Sequence, residues 1–194
     1  QRLEMARQPE VVLAEVGDEG GARQLERPPV RSGLMTGANI DFDQMVAGAS
    51  DPQIIIRDFR DRYFPYDGES IKDFIHELSG RVRPDIVFTH RLDDMHQDHR
   101  LVAELTWNAF RNHLVLEYEI AKYEGDLGRP NFFVPLSEEV CRRKIEALLT
   151  AFPTQRDKPW FTDDTFWALL RIRGLECHAP SRFAEAFHAA KVVV

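Results

Sequence analysis

RPDIVFTHRLDDMHQDHRLVAELTWNAF, residues 83–110, is the stretch whose reading decides the fold. Within it DIVFTH is a nearly continuous apolar run, set off on its N-terminal side by Pro84. Such runs suit strands of a parallel sheet covered on both faces, whereas a half-solvated strand alternates apolar with polar. Downstream, HRLVAELTWNAFRNHL (99–114) has the spacing of a helix, with Leu101, Leu105 and Trp107 to Phe110 on its apolar side. Upstream, GESIKDFIHELSGRV (68–82) is a second helix: Ile71, Phe74, Ile75 and Leu78 recur at helical spacing, and Gly80 is a candidate C-cap. Before that helix come QIIIRDF (53–59), a β-branched run, and FPYDG (64–68), a turn. Strand, helix, strand in this order predicts a βαβ unit.

Further out, PEVVLAEV (9–16) reads as a short strand. Residues 17–50 read as an atypical or poorly ordered segment: GDEGG marks a turn, and RPPVRSG stops any helix begun by ARQLE, because tandem proline removes donors and enforces extended backbone. Towards the C-terminus, YEGDLGRPNFFVP (123–135) reads as a loop. SEEVCRRKIEALLTAF (137–152) is a helix with Ser137 as N-cap and a buried stripe of Cys141, Ile145, Leu148, Leu149 and Phe152, which places Cys141 in the core. TDDTFWALLRIRG (162–174) is another helix, and AAKVVV (189–194) a final strand. The expectation is a single α/β domain over residues 1–194: a mostly parallel sheet flanked by helices.

Composition narrows the function. The chain of 194 residues is 43% hydrophobic and 29% charged, enough to bury a core, and its net charge of −7 argues against nucleic-acid or anionic-membrane partners. Two cysteines, Cys141 and Cys177, are too few for a disulfide framework and lack metal-ligand spacing, which points to a cytoplasmic protein. No apolar run approaches the ~18–20 residues that span a bilayer. The chain begins with Gln1, as a fragment or processed product would.

In an α/β sheet ligands gather beyond the carboxyl ends of the strands, and the loop after DIVFTH lies there. His96 and His99 are three apart, on one side of a helical turn, with Asp98 between them. Histidine plus carboxylate is the ligand set of a catalytic zinc, and a carboxylate beside a histidine fixes its tautomer. Iron or another divalent ion accepts the same ligand types. The remaining histidines, His76, His113, His178 and His188, read as structural or surface residues, as does His90 nearer the motif. Tyr118, Tyr123 and Arg129, in or beside the long loop, read as surface residues.

The stretch 83–110 resembles the second block of the LmbE-like, or PIG-L, family of zinc-dependent N-deacetylases, in which a strand leads into H-x-D-H and a helix. IIIRDFRDRYFPYDGESIKDF (54–74), LEYEIAKYEGDLGRPNFFVPLSEEVCRRKIEALL (116–149) and SRFAEAFHA (181–189) extend the likeness over about residues 50–194. The resemblance implies a Rossmann-like sheet, one bound zinc, and removal of an acetyl group from an N-acetyl sugar or glycoconjugate. It implies that His99 is a zinc ligand, that His96 stabilises the oxyanion or acts as acid, and that Asp98 orients a histidine. GARQLE resembles the family's R-x-x-E helix, which makes Arg23 a substrate-binding residue, although Pro28 and Pro29 interrupt the helix that should follow.

The family's first block, H-P-D-D-E, supplies two further zinc ligands and the general base, and no HPDD occurs in the chain. PEVVLAEV resembles the family's second strand, so N-terminal truncation is expected, with the first strand upstream of Gln1. Its loss would leave an exposed sheet edge, which favours a homo-oligomer. Two other readings stand beside the hydrolase. One is a degenerate, non-catalytic sugar-binding or interaction domain that has lost its metal. The other is an α/β domain with a chance H-x-D-H.

Overall fold

A computed structural model describes residues 55, 57 and 59–192, together with the backbone of 14–15 and 34–35. Two short strands, β1 (Ala14–Glu15) and β2 (Leu34–Met35), pair in parallel. The main body runs α1 (Gly68–Arg81), β3 (Ile86–Thr89), α2 (Gln97–Ala109), β4 (Leu114–Tyr118), β5 (Phe132–Leu136), α3 (Glu138–Ala151), α4 (Asp163–Glu176) and β6 (Phe183–His188). Its four strands lie in the order β3-β4-β6-β5. The fold is α/β as expected, and the described sheet is mixed: β3 and β4 are parallel, while β6 runs antiparallel to both β4 and β5.

The apolar stripe of α1 is buried as its spacing predicts. Ile71, Phe74, Ile75 and Leu78 pack with Phe64, Val87 of β3, Val102 of α2, Phe110 and Val115 of β4. Full burial of one such side chain contributes about 1.5–3 kcal/mol, so this cluster is the main tie between the two helices and the parallel strands. Strand alternation sends the neighbouring residues to the opposite face: Ile86, Phe88, Leu114, Leu116 and Tyr118 pack with Phe132 and Phe187. On the β5–β6 side, Cys141, Ile145 and Leu170 of α3 and α4 pack with Leu136 and Phe183. Helix α4 sits so close to the turn before β6 that a Cβ on Gly174 would lie 2.2 Å from the Arg182 carbonyl oxygen.

Several local expectations need correction. Of QIIIRDF, the described residues Ile55, Arg57 and Phe59 are not in a strand; Ile55 and Phe59 pack against the core instead. An apolar β-branched run signals burial as much as ladder pairing. Gly80 is not the C-cap of α1, which runs to Arg81 and closes at Val82 in extended backbone, shortly before Pro84. Helix α2 ends at Ala109, and Leu114 already belongs to β4. FFVPL, assigned to a loop, is strand β5; Pro135 is tolerated because β5 lies at the end of the strand order and pairs only with β6 among the described strands. The last strand is FAEAFH rather than AAKVVV, whose described residues 189–192 are outside any strand. The Ser137 cap holds, its hydroxyl accepting the Val140 N–H. Apart from the backbone at Leu34–Met35, the atypical segment 17–50 lies outside the described residues, and Arg23 with it.

Candidate functional site

Strand β3 ends at Thr89, and residues 90–96 turn the chain into α2, whose N-cap is His96. His99 therefore falls in the first turn, one turn on from His96, and the two rings lie 4.5 Å apart. Both histidines are set at the carboxyl end of the parallel pair β3–β4, where the sequence placed them.

Asp94 organises this turn. Its Oδ1 accepts the His96 N–H at 2.7 Å and lies 3.0 Å from the Lys122 ammonium, while its Oδ2 lies 2.9 Å from His99 Nδ1. Burial pushes the Asp94 carboxyl up, but the His99 hydrogen bond and charge, the His96 N–H and Lys122 outweigh it and hold the group well below the usual carboxylate range. With Nδ1 engaged by a carboxylate, His99 has its other ring nitrogen left as a ligand atom.

His90 is fully buried and stacks face to face on His99, with centroids 4.0 Å apart and 6° between the planes. Its Nε2 lies 3.3 Å from the Tyr118 hydroxyl. Burial, reinforced by His99, holds His90 well below the ordinary imidazole range. Burial and His99 likewise lower His96, against the opposing charges of Asp98, Asp61 and Asp94. The Nδ1 atom of His96 is buried with no hydrogen-bond partner among the described residues.

Asp98 is fully buried, and its carboxylate accepts the backbone N–H groups of Arg62 and Phe64. Arg62 has φ 65°, a conformation that costs a residue with a Cβ about 1–2 kcal/mol, and Asp98 holds it. The hydrogen bonds of Asp98 thus go to the turn before α1, while its charge lies close to His96. Asp61, raised by burial, completes a group with His96 and Asp98 whose ligand atoms lie within 4.8 Å of one another.

A second such group is His90, Asp94 and His99. It does not suit one ion: a metal lies in the plane of each imidazole that binds it, at about 2.0–2.1 Å, and two parallel stacked rings do not share that point. Asp94 is moreover already paired with an ammonium. Asp94 and His90 instead support the His99 ring, by a hydrogen bond and by stacking. A zinc site takes three or four protein ligands, and Asp61, His96 and Asp98 are the other cluster of potential donors among the described residues.

Asp94 and Lys122 escaped the sequence reading; His90 was read as structural, and Tyr118, read as a surface residue, is instead packed against the core beside His90. Asp94 and Asp93 are adjacent and chemically identical, yet Asp94 is 5% exposed whereas the Asp93 side chain is 84% exposed. A signal was present in the spacing, since Asp94 precedes His96 by two and His99 by five. Lys122 carried none, because it is 28 residues beyond Asp94.

The fold and the site define an α/β domain with a histidine–carboxylate turn at the carboxyl end of a parallel strand. The family model for PIG-L, described as GlcNAc-PI de-N-acetylase, matches residues 11–110, just over half of the chain and including the whole histidine motif. The chain belongs to the PIG-L family. That match starts well upstream of residue 50, where the likeness read from the sequence begins. No curated protein matches the chain. Among solved structures, a conserved protein from Thermus thermophilus aligns over 84% of this chain and 83% of its own, at 20% identity and TM-score 0.59. GalB, the 4-carboxy-2-hydroxymuconate hydratase from Pseudomonas putida, aligns over 78% and 71%, at 18% and 0.58. The N,N'-diacetylchitobiose deacetylase from Pyrococcus horikoshii aligns over 76% of this chain and 60% of its own, at 20% and 0.56. These likenesses establish the fold. A hydratase and a deacetylase stand side by side in it, so the reaction has to be argued from the site.

Proposed function

We propose that this chain belongs to a metal-dependent hydrolase that removes an N-acetyl group from an amino sugar or glycoconjugate. The observation that carries the reading is the Asp94–His99 pair at the end of β3, within the segment matched by the de-N-acetylase family model. His99 would hold the ion through the ring nitrogen that Asp94 leaves free. A zinc or other divalent ion would polarise the amide carbonyl and supply a nucleophile from water at neutral pH. His96, in ring contact with His99, would stabilise the oxyanion or act as the acid. Asp98 keeps the Arg62–Phe64 turn against the motif, and its charge favours any proton that His96 acquires. Arg23 is proposed as a substrate contact through its likeness to the family's R-x-x-E helix. Among the described residues no helix is long and apolar enough to cross a membrane, and the cytoplasm is the proposed location.

The test is metal content by elemental mass spectrometry and acetate release from N-acetylglucosamine conjugates, with His99→Ala alongside. About one ion per chain, lost in His99→Ala together with acetate release, is expected. A metal-free chain that binds the sugars without releasing acetate would replace this reading with a non-catalytic sugar-binding domain. An HPDD block upstream in the natural protein would count against that second reading.

A further inference from the structure

Residues 119–131 connect β4 to β5 and return to the histidine motif at several points. Asp126 Oδ2 accepts the Met95 N–H at 2.8 Å, and the Asp126 carbonyl accepts a hydrogen bond from Arg91. The same Oδ2 lies 2.7 Å from Lys122 Nζ, which lies 3.0 Å from Asp94 Oδ1. The path needs glycine: Gly125 and Gly128 have φ of +64° and +62°, and a Cβ on Gly128 would come within 2.9 Å of the Arg91 guanidinium. The Lys122 side chain is only 9% exposed. A buried ammonium is costly unless paired, and a plain loop tether would not require one.

The geometry points to Lys122 as a positioning residue: anchored by Asp126, its ammonium fixes the Asp94 carboxylate, which in turn sets the ring of His99. This rests on reading His99 as the metal-binding histidine. Asp94 has two oxygens and three partners. Lys122 and the His96 N–H both hold Oδ1, which leaves Oδ2 facing His99 Nδ1. A carboxylate held in this way selects the tautomer with hydrogen on Nδ1 and the lone pair on Nε2, the form a metal binds. Without Lys122, only the His96 N–H still holds Oδ1, so the carboxylate is less firmly oriented and the tautomer less strictly imposed.

The test uses the metal-free 194-residue chain with 15N-labelled histidine rings at pH 9, well above the ordinary imidazole range. Ring nitrogen spectra separate protonated from bare nitrogens, and zinc affinity is read by chelator competition. Wild-type His99 is expected as the Nδ1–H tautomer alone. Lys122→Met should give a mixture of tautomers and lose about 10–100-fold in zinc affinity, the range for groups that orient a ligand. Lys122→Arg should restore both readouts. Asp126→Asn should move them in the direction of Lys122→Met, and it carries the test together with Lys122→Arg if Lys122→Met does not fold. A folded Lys122→Met with wild-type tautomer and affinity would overturn the proposal, as would a mixture in the wild type. Should the wild type bind no zinc, the metal reading fails by itself, and the ring spectra still decide whether Lys122 positions His99.

Discussion

Replacing Asp98 by alanine removes the acceptor of two backbone N–H groups, Arg62 and Phe64, from a fully buried position. A hydrogen bond to a charged acceptor is worth about 1.5–3 kcal/mol, so two give a loss of about 3–6 kcal/mol. The positive φ of Arg62 adds to the effect, because the turn loses the group that compensates its strain. For a chain of this size each kcal/mol moves Tm by about 2–4 °C, so the melt should fall by on the order of 6–24 °C. Asp98→Asn keeps one acceptor oxygen but turns an amide NH2 towards a donor, and should lose about 1.5–3 kcal/mol, one charged hydrogen bond's worth. The assay is urea denaturation at fixed pH, with hydrogen exchange at the Arg62 and Phe64 amides as the local readout. Their protection should drop first. A variant that melts within about 1 kcal/mol of wild type, with both amides still protected, would refute the reading of Asp98 as the brace of this turn.

Other outcomes follow from the same structure. Gly174→Ala forces a Cβ onto backbone rather than onto a flexible side chain, so α4 must move off β6; a loss of about 1–3 kcal/mol is expected in a melt. Arg173 pairs with the buried Glu119, with side chains 6% and 3% exposed, and Arg173→Met leaves that carboxylate unpaired at a cost of about 3–5 kcal/mol by denaturant titration. The double replacement with Glu119→Gln should recover part of the loss. Burial, then the charges of Arg91 and Arg173, push His188 down to about 4. Its unfolded value is about 6.5, so the unfolded chain binds the extra proton between these limits. Stability should therefore be fully present above pH ~6.5 and decline as pH falls towards 4, and His188→Gln should flatten that slope in pH-dependent melts.

Helices α1, α2, α3 and α4 were legible because a helix writes its own periodicity into the chain. Ile71, Phe74, Ile75 and Leu78 needed no knowledge of what they would touch. β3 was legible for a related reason, since burial on both faces demands an unbroken apolar run. The closeness of His96 and His99 also followed from spacing alone. β5 and β6 were not legible as strands. FFVPL contains a proline that only an end position in the strand order tolerates, and FAEAFH is chosen as a strand by its pairing with both β4 and β5.

At the site the same division holds. The sequence determined that a cluster of imidazoles and carboxylates follows a buried strand, and that its members share one helical turn. Only the tertiary structure decided their duties. Asp94 rather than Asp93 faces His99, because the turn at residues 91–94 points one carboxylate inward and the other to water. Asp98 spends its hydrogen bonds on a turn some 35 residues upstream, and Lys122 reaches Asp94 across 28 residues. Local periodicity is set by backbone geometry and is readable from a few neighbouring residues. A buried charge finds its partner through the packing of the whole chain, and no short stretch of sequence encodes that distance.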